Sequence, residues 1–84
     1  MPSYIIKPLK ADLKNYLEKH SLEKKWQKAK LTLEINPAYP ALNFEKVVLE
    51  GIVFYSFRLD KKYRGICLLN GGEFEIIAFT NHYR

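Results

Sequence analysis

Asn70-Gly71-Gly72 stands between two runs rich in β-branched and aromatic residues, 63–69 and 73–80. Glycine takes positive φ angles without steric cost, and asparagine tolerates them, which is what a tight hairpin turn demands. No other segment offers that turn chemistry between two β-rich runs, so an antiparallel hairpin is expected here. A third such run, 52–59, precedes it across the short charged turn Asp60-Lys61-Lys62. The three together predict an antiparallel meander.

The first half of the chain has a different period. Tyr4-Ile5-Ile6 is a short strand-like run, and Pro8 suits the first turn of a helix. Leu9, Leu13, Tyr16, Leu17 and His20 then recur on one helical face. His20 closes that face and is expected at an interface. Ser21 is placed to cap a second helix, whose apolar positions are Leu22, Trp26, Ala29 and Leu33. Residues 31–35 also alternate like a strand, and Asn36-Pro37 stops either element. Residues 36–44 read as a loop. The order predicts an α+β fold: an N-terminal strand, a two-helix antiparallel hairpin, then a three-stranded antiparallel meander forming one curled sheet, with the helices on one face.

At 84 residues, 48% hydrophobic and 14% aromatic, the chain suits one packed domain spanning 1–84. A single cysteine, Cys67, excludes an intramolecular disulfide and a Cys-based zinc site. Two histidines without neighbouring paired carboxylates supply no metal set. There is no glycine-rich phosphate loop, dinucleotide fingerprint, His-Glu-x-x-His or Gly-x-Ser-x-Gly elbow, so neither cofactor nor metal is expected. Uncharged runs fall short of the roughly 18 residues a membrane span needs, and the first residues lack a signal peptide's apolar stretch. No membrane association and a cytoplasmic location are expected. The net charge is +5, with eight lysines before residue 37 and every arginine after residue 57. That balance favours polyanionic partners, or else a solvated lysine-rich helix face.

Two guanidiniums flank one turn: Arg58 ends a strand and Arg64 begins the next, and alternation puts Arg58 on the less apolar face. Arg64 reads as an exposed strand-end residue. Asn81-His82-Tyr83-Arg84 sets an imidazole, a phenol and a guanidinium just after a strand. A planar cation that grips phosphate in two places, beside a group titrating near neutrality, suits phosphodiester cleavage. The plainer reading pairs Arg58 and Arg64 with Asp60, Glu73 or Glu75 across the hairpin.

Leu49-Glu50-Gly51, Tyr55-Ser56-Phe57-Arg58-Leu59, Tyr63-Arg64 and a strand ending in Asn81-His82-Tyr83 follow one another in order. The set resembles the RelE/ParE superfamily of bacterial toxins. Its pattern there is a Leu-x-Gly turn, a Tyr-Ser-x-Arg strand, a Tyr/His-Arg pair and a terminal His-Tyr. The likeness is greatest with the YoeB-type branch of mRNA endonucleases and runs over about the whole chain.

The resemblance implies a RelE-like fold and the toxin of a type II toxin–antitoxin system, a ribosome-dependent, metal-independent mRNA endonuclease. Arg64 matches the arginine that stabilises the scissile phosphate, His82 the general acid and Tyr83 its aromatic neighbour. The family's general base is a glutamate ahead of the Leu-x-Gly turn. Glu45 is the nearest candidate, with Glu50 a competitor. Arg58 matches the common strand arginine. With Lys46, Lys61, Lys62 and Arg84 it makes up the expected phosphate and RNA contacts. The chain departs from the pattern in carrying about two extra residues between Gly51 and Tyr55, and in Arg84, which follows the tyrosine. Implied partners are an acidic antitoxin, the ribosome and mRNA, with DNA reached only through the antitoxin complex. The alternatives are a ParE-like poison of DNA gyrase, a branch generally lacking the terminal His-Tyr, and a catalytically degenerate antitoxin-binding module.

Overall fold

The computed structural model describes residues 4–81. It is an α+β fold of two helices and a five-stranded mixed sheet that does not close. In chain order the elements are β1 (Ile5–Ile6), α1 (Ala11–Lys19), α2 (Glu23–Ile35), a 3₁₀ turn (Pro40–Leu42), β2 (Glu45–Leu49), β3 (Ile52–Arg58), β4 (Arg64–Asn70) and β5 (Glu73–Thr80). Sheet order is β1-β5-β4-β3-β2, antiparallel throughout except for β1, which runs parallel to β5.

The β4–β5 hairpin falls in the expected segment, but Asn70 still pairs with Glu73, and the turn is made by Gly71 and Gly72 with φ of 58° and 83°. Positive φ at both central residues gives the twist that a two-residue loop needs between right-twisted strands. β2 was not expected. It pairs with β3 from Glu45↔Ser56 to Leu49↔Ile52, through a second two-residue turn at Glu50 (φ 50°) and Gly51 (φ 78°). The meander therefore has four strands, not three. β2 is an edge strand whose residues are all partly or fully exposed, and it lacks the apolar alternation that marks a strand.

The helical half differs from expectation at two ends. α1 starts at Ala11 rather than around Pro8, because the Lys7 N–H still bonds to the Phe74 carbonyl and prolongs the extended backbone of β1. Ser21 does not cap α2. It sits at φ 55° as the left-handed residue that ends α1, while the Leu22 N–H reaches back to the Leu17 carbonyl at 2.8 Å. Leu17 and Leu22 are both buried there, the apolar contact that accompanies this kind of helix end. α2 continues to Ile35, so residues 31–35 are helical, and Asn36 terminates it in an extended conformation.

One layer of core lies between the helices and the sheet. Leu13 and Leu17 of α1 and Trp26, Ala29 and Leu33 of α2 pack with Phe57, Cys67, Phe74, Ile76 and Phe79 of the strands. β5 keeps Phe74, Ile76 and Phe79 on that face through a bulge: Ile66 pairs with Ala78 and Cys67 with Ile76, leaving Ile77 as the extra residue. Tyr16 and Tyr63 close the layer around His20, whose Nδ1 lies 3.2 Å from the Tyr63 hydroxyl. His20 is thus an interface residue, as expected. Burial pushes the Cys67 thiol up to about 12, so it is no nucleophile. Among the described residues no helix is long and apolar enough to cross a membrane.

Candidate active site

Residues 45, 56, 58, 64 and 80 project from the sheet face opposite the helices, because Phe57, Cys67 and Phe79 take the other face. The register sets Glu45 beside Ser56, Arg58 beside Arg64, and Arg64 beside Thr80. Four consecutive strands thereby bring a carboxylate, two hydroxyls and two guanidiniums to one end of an open face.

Arg64 is not the exposed residue its position suggested. It is 5% exposed. Its Nη2 donates to the Asn43 carbonyl at 2.7 Å and to Ser56 Oγ at 2.8 Å. Asn43 reaches it from the loop because a left-handed backbone (φ 45°) ends the 3₁₀ turn there. Burial lowers the Arg64 pKa, the Glu45 carboxylate works against that shift and Arg58 adds to it. An arginine stays charged in such surroundings, so the site holds a fixed positive charge facing a carboxylate. Arg58 remains exposed, and its Nε donates to the Asp60 carbonyl at 3.1 Å.

The structure separates the two base candidates. Glu45 begins β2 at the arginine end, whereas Glu50 lies in the turn at the far end of that strand. Five residues of strand hold them roughly 16 Å apart. Lys61 and Lys62 are exposed in the β3–β4 turn, at the arginine end, with Lys62 Nζ 5.7 Å from the centre of the Tyr63 ring. Lys46 is exposed beside Glu45, but its register partner is Tyr55, which puts it on the helix side of the edge strand. His82, Tyr83 and Arg84 lie outside the described residues.

The cross-hairpin ion pairs also took other partners than the arginines. Asp60 binds Lys25 at 2.6 Å and Glu73 approaches Lys7 at 3.9 Å. Asp60 Oδ1 further accepts the Lys62 and Tyr63 amides at 2.8 and 2.7 Å, which folds the turn. Burial works to raise the Asp60 pKa, but the Lys25 and amide hydrogen bonds outweigh it and hold the carboxyl at about 2. A depressed carboxylate stabilises the fold above its unfolded pKa and stops doing so as pH falls through its folded one. The stability difference between the wild-type chain and Asp60→Asn should accordingly be full above roughly pH 4. It should shrink as pH falls through 2 and vanish by about pH 1, and thermal melts across that range would check it.

Ser56 and Asn43 are the site residues that sequence reasoning did not single out. Alternation already placed Ser56 on the face of Arg58, and a small hydroxyl residue inside an aromatic strand was the available signal. Nothing in the loop sequence pointed to the Asn43 carbonyl. Among the described residues no three His, Cys, Asp or Glu side chains are grouped so as to hold a metal ion. No family model matches the chain, and no curated protein matches it either.

Proposed function

We propose that this protein is a metal-independent endoribonuclease of the RelE/ParE type that cleaves ribosome-bound mRNA in the cytoplasm and is silenced by an acidic antitoxin. The observation that carries this reading is the meeting of Glu45, Arg58 and Arg64 at one end of the open sheet face, where Thr80 of β5 leads in sequence to His82 and Tyr83. A carboxylate beside two guanidiniums suits attack by a ribose 2′-hydroxyl on the adjacent phosphorus. Glu45 takes the 2′ proton as the O2′–P bond forms, and Arg58 meets the phosphoryl oxygens from solvent. Arg64, held behind, adds a positive field that needs no reorganisation. The P–O5′ bond breaks as His82 gives its proton to the leaving oxygen, a task matched to a pKa near neutrality. The products are a 2′,3′-cyclic phosphate and a 5′-hydroxyl. Tyr83 stands beside the acid in sequence, and Lys46, Lys61, Lys62 and Arg84 supply salt-sensitive phosphate contacts.

Primer extension on translated mRNA after expression of the protein tests this directly. Codon-phased cuts ending in a 2′,3′-cyclic phosphate are expected, and His82→Gln should slow them while ribosome binding persists. Gyrase-dependent DNA breaks without mRNA cuts would replace the nuclease by a ParE-like poison. Antitoxin binding with neither activity would leave a binding module.

A further inference from the structure

We propose that a pocket between α2, the 3₁₀ turn and the end of β3 binds one nucleotide unit of single-stranded RNA, with the base on Tyr39 and the phosphate between Lys28 and Arg58. The pocket holds about 330 Å³, at the lower end of the roughly 300–1,000 Å³ of small-ligand sites. Its floor is apolar, formed in part by Leu42 and Leu59, and no carboxylate lines it. Lys25 on its wall is already matched by Asp60 at 2.6 Å. Lys28 and Arg58 are left as the exposed cations of the rim.

Tyr39 gives the site its chemistry. The residue is 53% exposed, although its backbone is tied on both sides. Its N–H donates to the Asn36 carbonyl and its own carbonyl accepts the Leu42 N–H, each at 3.0 Å. A ring presented from a pinned backbone loses little entropy when something stacks on it. An aromatic face next to cations over an apolar floor is how proteins hold unpaired nucleotides, since every base has a π-face and every linkage a negative charge. Bases inside a duplex are stacked and cannot enter such a pocket, which makes the ligand single-stranded. Arg58 also connects the pocket to the candidate active site, because it pairs with Arg64 in register. A strand lying on the open face would reach the pocket within a nucleotide or so of the proposed scissile phosphate. The inference takes RNA as the polyanion of the proposed function but does not require cleavage.

Fluorescence anisotropy of a labelled short single-stranded oligoribonucleotide with the full chain, without ribosomes, tests the pocket. Tyr39→Ala should weaken binding about tenfold, while Tyr39→Phe binds like the wild type. Lys28→Gln should lower the slope of log affinity against log salt by about one. AMP should compete with the strand at concentrations where inorganic phosphate does not. Tyr39→Ala protein that binds like wild type would overturn the proposal, as would equal binding of the strand and its duplex. Equal competition by phosphate and AMP would overturn it too. Tyr39-dependent binding in a protein that cuts no mRNA keeps the pocket and removes the nuclease reading. Cleavage with Tyr39-independent binding does the opposite.

Discussion

Gly65→Ala is expected to lower the melting temperature by roughly 10–20 °C, the size of shift that an overpacked core gives in a domain this small. A Cβ at this position would lie 2.2, 2.6 and 2.8 Å from three carbons of the Phe57 ring, closer than packed carbons come. Gly65 is not among the glycines with positive φ, so the requirement is for space and not for backbone freedom. Phe57 and Gly65 face each other across β3 and β4, and the ring covers the glycine. The ring cannot yield, because Phe57 is wholly buried with the Trp26 ring of α2 tilted against it, centroids 6.1 Å apart. Phe57→Leu alone leaves a cavity and should also destabilise. Added to Gly65→Ala it removes the colliding ring edge, so the double variant should melt above the sum of the two losses. Thermal unfolding of the four proteins measures this coupling. Additive losses would show that Gly65 has some other role.

The contrast between Gly65 and the turn glycines marks what the sequence could carry. Asn70-Gly71-Gly72 was legible because its chemistry is local: two positive φ angles need residues that tolerate them, and the β-rich runs on either side name the element. Gly65 looks like an interruption of a strand until Phe57 is seen opposite it, a contact eight residues away. β2 escaped notice for a related reason. None of its residues is fully buried, so burial did not shape them into alternation, and its turn places Glu50 where a glycine or asparagine would have signalled it. The bulge at Ile77 shifts the phase of β5 midway, which no uniform period reports. At the candidate site, alternation assigned Arg58 and Ser56 to one face correctly, but a face says nothing of cover. Arg64 is buried because the Asn43 carbonyl folds over it, a loop conformation that residues 36–44 do not advertise. Of the two candidate glutamates, Glu45 lies at the arginine end of β2 and Glu50 in the turn at the other end, a separation that the motif order does not report.

The two arginines should fail in different ways when removed, and that difference tests the proposed chemistry. Arg58 is exposed, with one hydrogen bond to a local carbonyl, so Arg58→Ala should shift stability by no more than about 0.5 kcal/mol. If its guanidinium stabilises the phosphoryl oxygens, cleavage should nevertheless fall on the order of 10²–10³-fold. Arg58→Lys should recover only part of that loss, since a point charge lacks the planar two-pronged grip. Arg64→Ala should lose both properties. Its departure leaves Ser56 Oγ and the Asn43 carbonyl without their donor in a buried setting, a defect of about 1–3 kcal/mol. It also removes the buried positive charge that the Glu45 carboxylate faces. The two effects separate if codon-phased cleavage is measured at a temperature where circular dichroism shows every variant folded. At that temperature a stability defect no longer matters, and any remaining loss of rate belongs to the chemistry. Arg58→Ala protein that cleaves like the wild type, together with Arg64→Ala protein whose activity returns once it is folded, would make both arginines structural and take the phosphate site away from this face.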